Sequence, residues 1–470
     1  MNLNYFKDKK IAFLGLGIEN VSLARFLLNQ GLEEITILER DKDSISDRLE
    51  SLNKIKKVNL VSGVDYLADL NQYQILFRSP GVPLHLEELK EAKESGVIIS
   101  SAMRLFFDLC PGKIIGVTGS KGKGTTATLI FQILKEAGKD VYLGGNIGIA
   151  PFDFLNQLST TSLIVLELSS FQLEDFEKSP QIAVVTNIFE EHLKAADPKN
   201  PNFHKNFAEY INAKKNIIKY QNRQNFTITN FSNKLTKQLA QESQAQVYYF
   251  SGLERVGRGA FIDQDQIKIK VPAGEFLLAK ISEIPLLGRH NWENVCAASI
   301  TSYLAGAGME AIIKIIKSFS GLPHHLEDVG SVKDVSYYND SAATVPTATI
   351  LSLNGLTNRK VIILGGSEKN SDFTALVERL KLDDITGVVL LPGAASSRIA
   401  ALMEKSGQHF NQVVDMSAAV TLASELAQAG ESVLLSPACA SFGIFKNYRD
   451  RGEQFKNAVN NMKQKNNEVK

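Results

Sequence analysis

The chain has 470 residues and an almost balanced charge, with 52 lysines and arginines against 51 aspartates and glutamates. That length accommodates two to four domains with large cores, and the near-zero net charge argues against nucleic acid or an anionic membrane as a partner. No apolar stretch is long enough to span a bilayer, and the polar start over Met1 to Lys10 argues against a signal peptide. Three scattered cysteines (Cys110, Cys296 and Cys439) argue against a disulfide framework or a structural zinc site. We therefore expect a cytoplasmic protein.

The first predicted strand, Ile11–Leu14, leads into the glycine turn Gly15-Leu16-Gly17-Ile18 and then an amphipathic helical stretch. The second strand, Glu34–Leu38, ends in Glu39-Arg40. This order is typical of the start of a dinucleotide-type fold, although Asn20 stands where the third glycine would be. A nicotinamide oxidoreductase is one interpretation, and an ordinary first turn of an α/β domain is another.

The most informative stretch lies just after Pro111-Gly112. Ile114–Val117 is predicted to be a buried strand, Gly119–Gly124 a glycine-rich turn that contains Lys123, and Thr125–Lys135 a helix. A strand, a glycine turn with a lysine and a helix together form a phosphate cradle, because backbone N–H groups and the helix N-terminus face the anion. The sequence thus predicts an enzyme that uses ATP or GTP. The alternative is a structural turn with a solvated lysine.

Two later strands of this block end near candidate metal ligands. Leu163–Leu168 contains Glu167, and Ile182–Asn187 is followed by Glu190-Glu191-His192. A carboxylate at the carboxyl end of a parallel strand, downstream of a phosphate loop, is a natural ligand for Mg²⁺. A turn-bound acid and a solvated histidine are the alternatives. Further along, the alternation over Gln244 to Ile284 predicts a small antiparallel excursion.

The third block begins near Gly321-Leu322-Pro323. Its predicted strands, Val361–Leu364, Val388–Leu391 and Val433–Leu435, are each followed by Gly or Pro, so ligand-facing loops are expected at their carboxyl ends. The alternation of strands and helices throughout predicts an α/β protein of three domains. These are a Rossmann-like domain over residues 1–110, a central P-loop-type ATPase domain with a mostly parallel sheet over 111–320, and a Rossmann-like C-terminal domain over 321–470.

Polar residues of the later blocks have two interpretations each. Asn291 and Asn294 flank Trp292 and would bind a base or ribose, or cap the helix that follows. Three further polar segments lie at the ends of predicted strands. They are Ser79-Pro80-Gly81, Asn339-Asp340-Ser341 and the segment with Lys369 that follows Gly365-Gly366. The small-residue turn over Ser436 to Phe442 would hold a carboxylate through its N–H groups, or merely pack under a loop.

Taken in order, these segments resemble the Mur ligase family over nearly the whole chain. The motifs that carry the resemblance are Gly116–Gly119, Gly144–Gly148, Leu166–Glu174, Gly321–His324, Ser436–Ser441, Phe445–Asn447 and Arg451-Gly452. The resemblance implies an ATP-dependent, ADP-forming ligase of peptidoglycan precursor synthesis that adds D-glutamate to UDP-N-acetylmuramoyl-L-alanine through an acyl phosphate. It also implies a cytoplasmic monomer that uses two Mg²⁺ ions and a carbamylated lysine and binds neither nucleic acid nor membrane.

The resemblance implies a role for each matching residue. The catalytic residues would be Lys123, Glu167, His192 and Lys214. Metal would be held by Glu167, His192, Lys214 as its carbamate, and Thr125. ATP would contact Gly119, Ser120, Lys121, Gly122, Lys123, Gly124, Thr125, Thr126, Asn291, Asn294, His325 and Asp340. The UDP substrate would contact Gly15, Leu16, Gly17, Ile18, Glu39, Arg40, Ser79, Pro80, Gly81, Asn146, Ser169 and Gln172. The incoming amino acid would contact Thr344, Lys369, Ser441, Phe442 and Tyr448.

The chain departs from the family pattern at five positions. Gly124 replaces the loop hydroxyl that binds Mg²⁺, His325 an arginine, Ala342 a lysine, Ser367 an aspartate and Lys194 an acid. These losses keep two alternatives open. One is the same scaffold acting on another amino acid, such as L-glutamate, and the other is a non-catalytic binder of UDP-muramoyl precursors.

Overall fold

A computed structural model describes residues 3–193, 202–368 and 370–468. The chain divides into two compact units. The first comprises Met1–Ala279 and Glu293–Ile315, and the second comprises Lys280–Trp292 and Ile316–Lys470. Within the described ranges, no helix combines the length and the apolar character needed to cross a membrane.

The first unit opens with a five-stranded, all-parallel sheet in the order β3-β2-β1-β4-β5. Its strands are β1 (Ile11–Leu14), β2 (Thr36–Glu39), β3 (Asn59–Ser62), β4 (Ile75–Arg78) and β5 (Ile98–Ser100). Its helices are α1 (Ile18–Asn29), α2 (Ser46–Asn53), α3 (Glu87–Glu94) and α4 (Ala102–Leu109). This order begins a Rossmann fold, as the sequence predicted. Folds of this kind bind ligands at the carboxyl ends of the strands where the order reverses, here β1 and β4.

A nine-stranded sheet follows in the order β14-β13-β12-β11-β10-β9-β6-β8-β7. Its strands are β6 (Lys113–Thr118), β7 (Val141–Gly145), β8 (Leu163–Glu167), β9 (Ile182–Val185), β10 (Phe226–Asn230), β11 (Gln246–Ser251), β12 (Gly259–Asp263), β13 (Gln266–Val271) and β14 (Gly274–Lys280). The helices of this stretch are α5 (Lys123–Glu136), α6 (Ser170–Leu173), α7 (Phe207–Lys219), α8 (Lys234–Gln241), α9 (Arg289–Leu304) and α10 (Met309–Ser318). The strands β6, β8 and β9 lie side by side, so their carboxyl ends meet at one edge.

The prediction of an antiparallel excursion over Gln244 to Ile284 is wrong for its first half. Strand β11 pairs parallel with β10, and β12 pairs parallel with β11. Antiparallel pairing begins only between β12 and β13, where Ala260 faces Ile269. Alternating burial looks the same in both arrangements, so the pattern predicted the strands but not their direction.

The second unit holds a six-stranded sheet in the order β15-β16-β20-β17-β18-β19. Its strands are β15 (Glu327–Val332), β16 (Val335–Asn339), β17 (Lys360–Leu364), β18 (Ile385–Leu390), β19 (Asn411–Gln412) and β20 (Ser432–Leu435). Its helices are α11 (Pro346–Gly355), α12 (Thr374–Arg379), α13 (Ala394–Lys405), α14 (Met416–Leu426) and α15 (Tyr448–Glu468). The three predicted strands form its parallel centre. The pair β15–β16 is an antiparallel hairpin whose turn, Lys333-Asp334, has positive φ at both residues, as two-residue hairpins favour.

A buried guanidinium, Arg451 at the start of α15, ties the loops of the second unit together. Its Nε donates to the hydroxyl of Ser341 at 3.0 Å, and Nη2 donates to the carbonyl of the same residue at 2.8 Å. Its Nη1 donates to the carbonyls of Cys439 and Ala440, at 3.1 and 3.2 Å. Burial lowers the pKa of Arg451 to about 10.

We expect Arg451→Met to lower the free energy of unfolding of the second unit by about 3 kcal/mol, because the carbonyls of Ser341, Cys439 and Ala440 lose the hydrogen bonds that the buried guanidinium donates. Urea unfolding followed by fluorescence would measure the change. The exposed neighbour Arg449 is the control, and Arg449→Met should shift the midpoint little. Equal midpoints for the two variants would contradict the structural role of Arg451.

Candidate active site

The glycine turn between β6 and α5 fits only glycine at two positions. Gly119 has φ +147 and Gly122 φ +81, and Gly122 caps α5. A Cβ at Gly119 would lie 1.9 Å from the hydroxyl of Thr186, and a Cβ at Gly122 would lie 2.2 Å from the side-chain oxygen of Asn294. The chain therefore closes tightly at the N-terminus of a 14-residue helix, which is the geometry of a phosphate cradle.

The turn is held from β9 by two residues that the sequence reasoning did not single out. The side-chain oxygen of Asn187 accepts from the N–H of Lys121 at 2.8 Å, and its amide donates back to the carbonyl at 3.0 Å. The hydroxyl of Thr186 donates to the same carbonyl at 2.6 Å. Their position directly after a strand that neighbours β6 was the signal available in the sequence.

Lys123 lies beneath the turn. Its Nζ donates to the carbonyls of Gly119 and Ser120, at 2.9 and 3.1 Å. Burial lowers the pKa of Lys123, while the carboxylates of Glu167 and Glu191 act in the opposite direction. Lys123, the predicted phosphate ligand, and Glu167, the predicted metal ligand, therefore interact electrostatically.

Glu167 ends β8 and is 6% exposed. Its Oε1 accepts from the side-chain amide of Asn146 at 2.8 Å, and the backbone N–H of Asn146 donates to its carbonyl at 2.9 Å. Gly145 permits this approach, since a Cβ there would lie 2.3 Å from the Glu167 carbonyl oxygen. A predicted metal ligand, Glu167, and a predicted UDP-substrate residue, Asn146, therefore meet at the ends of β7 and β8.

Lys214 of α7 also reaches the turn and is 2% exposed. Its Nζ donates to the carbonyl of Gly119 at 2.8 Å and lies 4.7 Å from the centre of the Tyr210 ring. Burial, followed by the nearby charge of Lys123, lowers the pKa of Lys214 well below its ordinary value, against the pull of Glu191. Helical periodicity alone would make it a surface lysine, so only the resemblance pointed to it.

His192 has a left-handed backbone, φ +60. Its ring lies in a recess, edge-on to Phe171 at 5.2 Å, although 46% of the side chain is exposed. Burial lowers the pKa of His192 to about 4; the carboxylate of Glu191 opposes this, and Lys123 and Lys214 reinforce it. The imidazole is therefore neutral near pH 7, with a lone pair available.

These donors fit Mg²⁺ only as a partial set. Within the described ranges, no group of three or more His, Cys, Asp or Glu side chains is arranged to hold a metal by itself. Mg²⁺ commonly binds one or two carboxylates and takes its remaining ligands from phosphates and water. The buried carboxylate of Glu167 beside the phosphate cradle is consistent with this mode of Mg²⁺ binding. Thr125, the predicted hydroxyl ligand, lies in the first turn of α5.

The predicted UDP-binding turn and strand end lie side by side. A Cβ at Gly17 would lie 2.7 Å from the hydroxyl of Ser79. The amide of Asn20 donates to the carbonyls of Gly15 and Phe77, at 2.7 and 3.0 Å, so it holds the turn where the dinucleotide pattern has a glycine.

The carboxylate of Glu39 accepts from the N–H groups of Leu16 and Arg40, both at 3.0 Å. In the described structure this acid therefore braces the turn. In the dinucleotide pattern the corresponding acid faces a ribose.

Ser169 and Gln172 form a capping box at the start of α6. The Ser169 hydroxyl accepts from the N–H of Gln172 at 3.2 Å, and the Gln172 side chain accepts from the N–H of Ser169 at 2.6 Å. The Gln172 amide also donates to Glu19 of α1. Burial raises the pKa of Glu19 to about 7. The negative charge of Asp175 also raises this pKa, whereas the hydrogen bond from Gln172 and the positive charge of Arg78 lower it.

The Glu19 shift predicts a pH dependence of stability. The folded form, with a pKa about 7, binds more protons than the unfolded form, whose pKa is 4.5. Stability of the first unit should therefore fall as pH rises from 4.5 to 7. In Glu19→Gln, the loss of unfolding free energy over this pH range should be smaller by about 2 kcal/mol. Denaturant unfolding at pH 5 and pH 8 would measure it, and a constant difference between variant and native chain would refute it.

Two residues of the second unit that were predicted to contact ATP, Asp340 and Asn291, form hydrogen bonds within that unit. The Asp340 carboxylate accepts from the hydroxyls of Ser352 and Ser436, at 2.6 and 2.8 Å, and from the N–H of Leu326 at 3.1 Å. Burial raises the pKa of Asp340 to about 6. The side-chain amide of Asn291 donates to the carbonyl of Leu287 at 2.8 Å.

The amino-acid candidates cluster around the turn after β20. The Ser441 carbonyl accepts from the N–H of Phe445 at 3.0 Å, and the hydroxyl of Ser367 donates to the carbonyl of Phe442, whose side chain is 54% exposed. The Tyr448 carbonyl accepts from the hydroxyl of Ser341 at 2.7 Å. Another amino-acid candidate, Thr344, follows β16, and His325, which was predicted to contact ATP, is exposed. Lys369 and Lys194 lie outside the described residues.

The glycine turn, its lysine and the carboxylate on a neighbouring strand end define an α/β enzyme that binds nucleotide phosphates. Three family models match the chain in succession. They are the MurD-like N-terminal domain over residues 9–101, the Mur ligase middle domain over 117–302 and the Mur ligase glutamate ligase domain over 326–439. The chain belongs to the Mur ligase family.

Curated relatives align over almost the whole chain. A UDP-N-acetylmuramoylalanine–D-glutamate ligase from Acetivibrio thermocellus is 36% identical over 97% of each chain, and its namesake from Clostridium acetobutylicum is 37% identical over 98% of each. Among solved structures, a UDP-N-acetylmuramate–alanine ligase from Thermotoga maritima matches with a TM-score of 0.58 and 17% identity, covering 96% of this chain and 99% of that one. That similarity shows the fold, three mostly parallel α/β domains. Family membership removes the oxidoreductase interpretation.

Proposed function

We propose that this chain is an ATP-dependent ligase that joins D-glutamate to UDP-N-acetylmuramoyl-L-alanine. The observation that carries the proposal is the convergence of Lys123 and Lys214 on the carbonyl of Gly119, next to the carboxylate of Glu167. Curated relatives that carry the name of this reaction, at 36% and 37% identity, supply the two substrates.

The reaction follows from the groups around the turn. Loop N–H groups and the Lys123 ammonium bind the terminal phosphates and stabilise the negative charge that develops on them. The alanine carboxylate attacks the γ-phosphorus and ADP leaves, which gives an acyl phosphate. The amine of glutamate then attacks the acyl carbon and loses a proton, and the tetrahedral intermediate collapses with release of phosphate.

Bound Mg²⁺ would neutralise phosphate oxygens during this transfer. We propose Glu167, His192 and carbamylated Lys214 as the residues that hold two ions, with Thr125 supplying the hydroxyl that Gly124 lacks. The carbamate forms when the neutral amine of Lys214 attacks CO₂ and loses a proton, which leaves a carboxylate. Burial and the positive charge of Lys123 both favour the neutral amine of Lys214 before this reaction, and the charge of Lys123 would stabilise the carbamate anion after it.

The remaining assignments extend the proposal to the rest of the chain. The Gly15–Ile18 turn and the Ser79–Gly81 loop would hold the UDP substrate, within a domain over residues 1–110. The turn at Ser441-Phe442 would receive glutamate, within a domain over residues 321–470. Ser367 lies against that turn, so its replacement of an aspartate bears on which amino acid is accepted. We also propose that the enzyme acts in the cytoplasm as a monomer.

Phosphate release from ATP, measured with Mg²⁺ and UDP-N-acetylmuramoyl-L-alanine, tests the proposal. We expect release to require D-glutamate and the product mass to rise by one glutamyl residue. Release with L-glutamate in place of the D isomer would keep the mechanism and change the substrate. Absence of release with either isomer, despite tight binding of the UDP substrate, would favour the non-catalytic binder.

A further inference from the structure

The segment Asn202-Phe203-His204 contacts the candidate UDP loop at one end. Asn202 is 4% exposed, and its side-chain amide donates to the carbonyl of Pro80 at 2.6 Å. The Phe203 ring meets the ring of His85 edge-on, with 5.6 Å between centres. The segment therefore contacts the loop that follows β4, at Pro80, and the chain five residues further on, at His85.

The other end of the segment contacts the candidate metal site. The backbone N–H of His204 donates to the carbonyl of His192 at 2.9 Å. The His204 ring is 1% exposed and stacks on Phe171, with 4.7 Å between centres and 7° between planes. Its Nε2 lies 3.0 Å from the hydroxyl of Ser170. This ring thus packs against the segment that continues from Glu167.

A third contact leads to the phosphate turn. The His204 ring meets Tyr210 edge-on at 5.4 Å. The hydroxyl of Tyr210 lies 2.7 Å from that of Ser120, and its ring faces Lys214. One short segment is therefore in contact with the UDP loop, with the backbone of His192 and with the ring beneath Lys214.

Two features show that the segment is ordered by these contacts. His192 adopts φ +60, a conformation that a non-glycine residue holds only when its surroundings fix it, and the bond from His204 is one such constraint. Among the described residues, the side-chain oxygen of Asn202 and the Nδ1 of His204 are buried without a hydrogen-bond partner. The fold tolerates both in order to keep the remaining contacts.

We propose that Asn202 and His204 are positioning residues that couple the Ser79–Gly81 loop to His192. When the loop is ordered by the UDP group, the Pro80 carbonyl fixes Asn202, and the rigid segment fixes the backbone of His192 and the ring platform under the metal site. The inference rests on the proposed function, since it assigns the loop to the UDP substrate.

Cross-effects between the two ends test the coupling. Asn202→Asp removes the amide that donates to Pro80 and touches nothing at the metal site. We expect it to raise the apparent Mg²⁺ concentration for half-maximal turnover about fivefold. His204→Ala removes the ring platform and does not contact the loop. We expect it to weaken binding of UDP-N-acetylmuramoyl-L-alanine, titrated with Mg²⁺ and without glutamate, by a similar factor because coupling is reciprocal.

Two further variants keep the result interpretable. His204→Phe retains the stacked ring and should restore much of the UDP-substrate affinity, which also covers the case in which His204→Ala does not fold. Lys205→Ala, at the exposed next residue, should behave as the native chain. Unchanged Mg²⁺ dependence in Asn202→Asp, together with unchanged substrate affinity in the His204 variants, would overturn the coupling while leaving the ligase intact. A native chain that releases no phosphate would instead overturn the proposed function.

Discussion

Replacement of Lys214 by alanine is expected to reduce the rate of ligation at least about 10³-fold. The Nζ of Lys214 lies 2.8 Å from the carbonyl of Gly119, so its carbamate would form inside the phosphate site. Phosphate release under saturating substrates would measure the loss. Small carboxylic acids such as acetate should restore part of the rate in the variant, because they supply the missing carboxylate.

The neighbouring lysine provides the matched control. Lys215 pairs with Glu242 and is 31% exposed, so Lys215→Ala should keep its rate within about twofold. Native enzyme depleted of CO₂ should lose activity and regain it with bicarbonate, whereas the variant should not respond. Full activity in Lys214→Ala would sink the carbamate assignment.

Lys123→Met should lower kcat by roughly 10²–10³-fold. Methionine fills similar space beneath the turn but provides no charge for the phosphates. It also removes the lysine donor of the Ser120 carbonyl and leaves the Gly119 carbonyl with the bond from Lys214. Single-turnover phosphate release would separate the chemical step from substrate binding.

A second lysine of α5 tests whether the expected loss of kcat depends on the position of Lys123 or follows from the loss of any positive charge on this helix. Lys135 lies in the last turn of α5, with its Nζ 5.8 Å from the centre of the Phe131 ring. Lys135→Met should leave kcat unchanged. Similar losses in both variants would mean that α5 had been destabilised, which a thermal melt would reveal, and would remove Lys123 from the mechanism.

Features set by neighbouring residues in the chain were predictable from the sequence. The strand before Gly119, the glycine turn and the helix after it are encoded by consecutive residues. The structure lengthens the predicted strand to Lys113–Thr118 and the predicted helix to Lys123–Glu136. The capping box at Ser169 belongs to the same class, although the sequence reading assigned that residue to substrate.

Features that depend on distant parts of the chain were not predictable. Lys214 meets Gly119 across 95 positions, and the constraint on Lys121 comes from Asn187. The direction of β11 depends on where the connection from β10 returns, which the alternating pattern does not record. His204 drew no notice because a lone histidine in a polar stretch gives no signal until its stacked partner, Phe171, is known.

The tightness of the phosphate turn has a consequence for antibacterial resistance. A side chain at Gly119 would overlap Thr186, and one at Gly122 would overlap Asn294 and require a left-handed backbone. An inhibitor whose contacts are confined to the backbone of this turn would therefore face atoms that single-nucleotide changes cannot remodel without breaking the enzyme. Escape would have to arise from neighbouring side chains, and a ligand that avoids them would leave few viable routes to resistance.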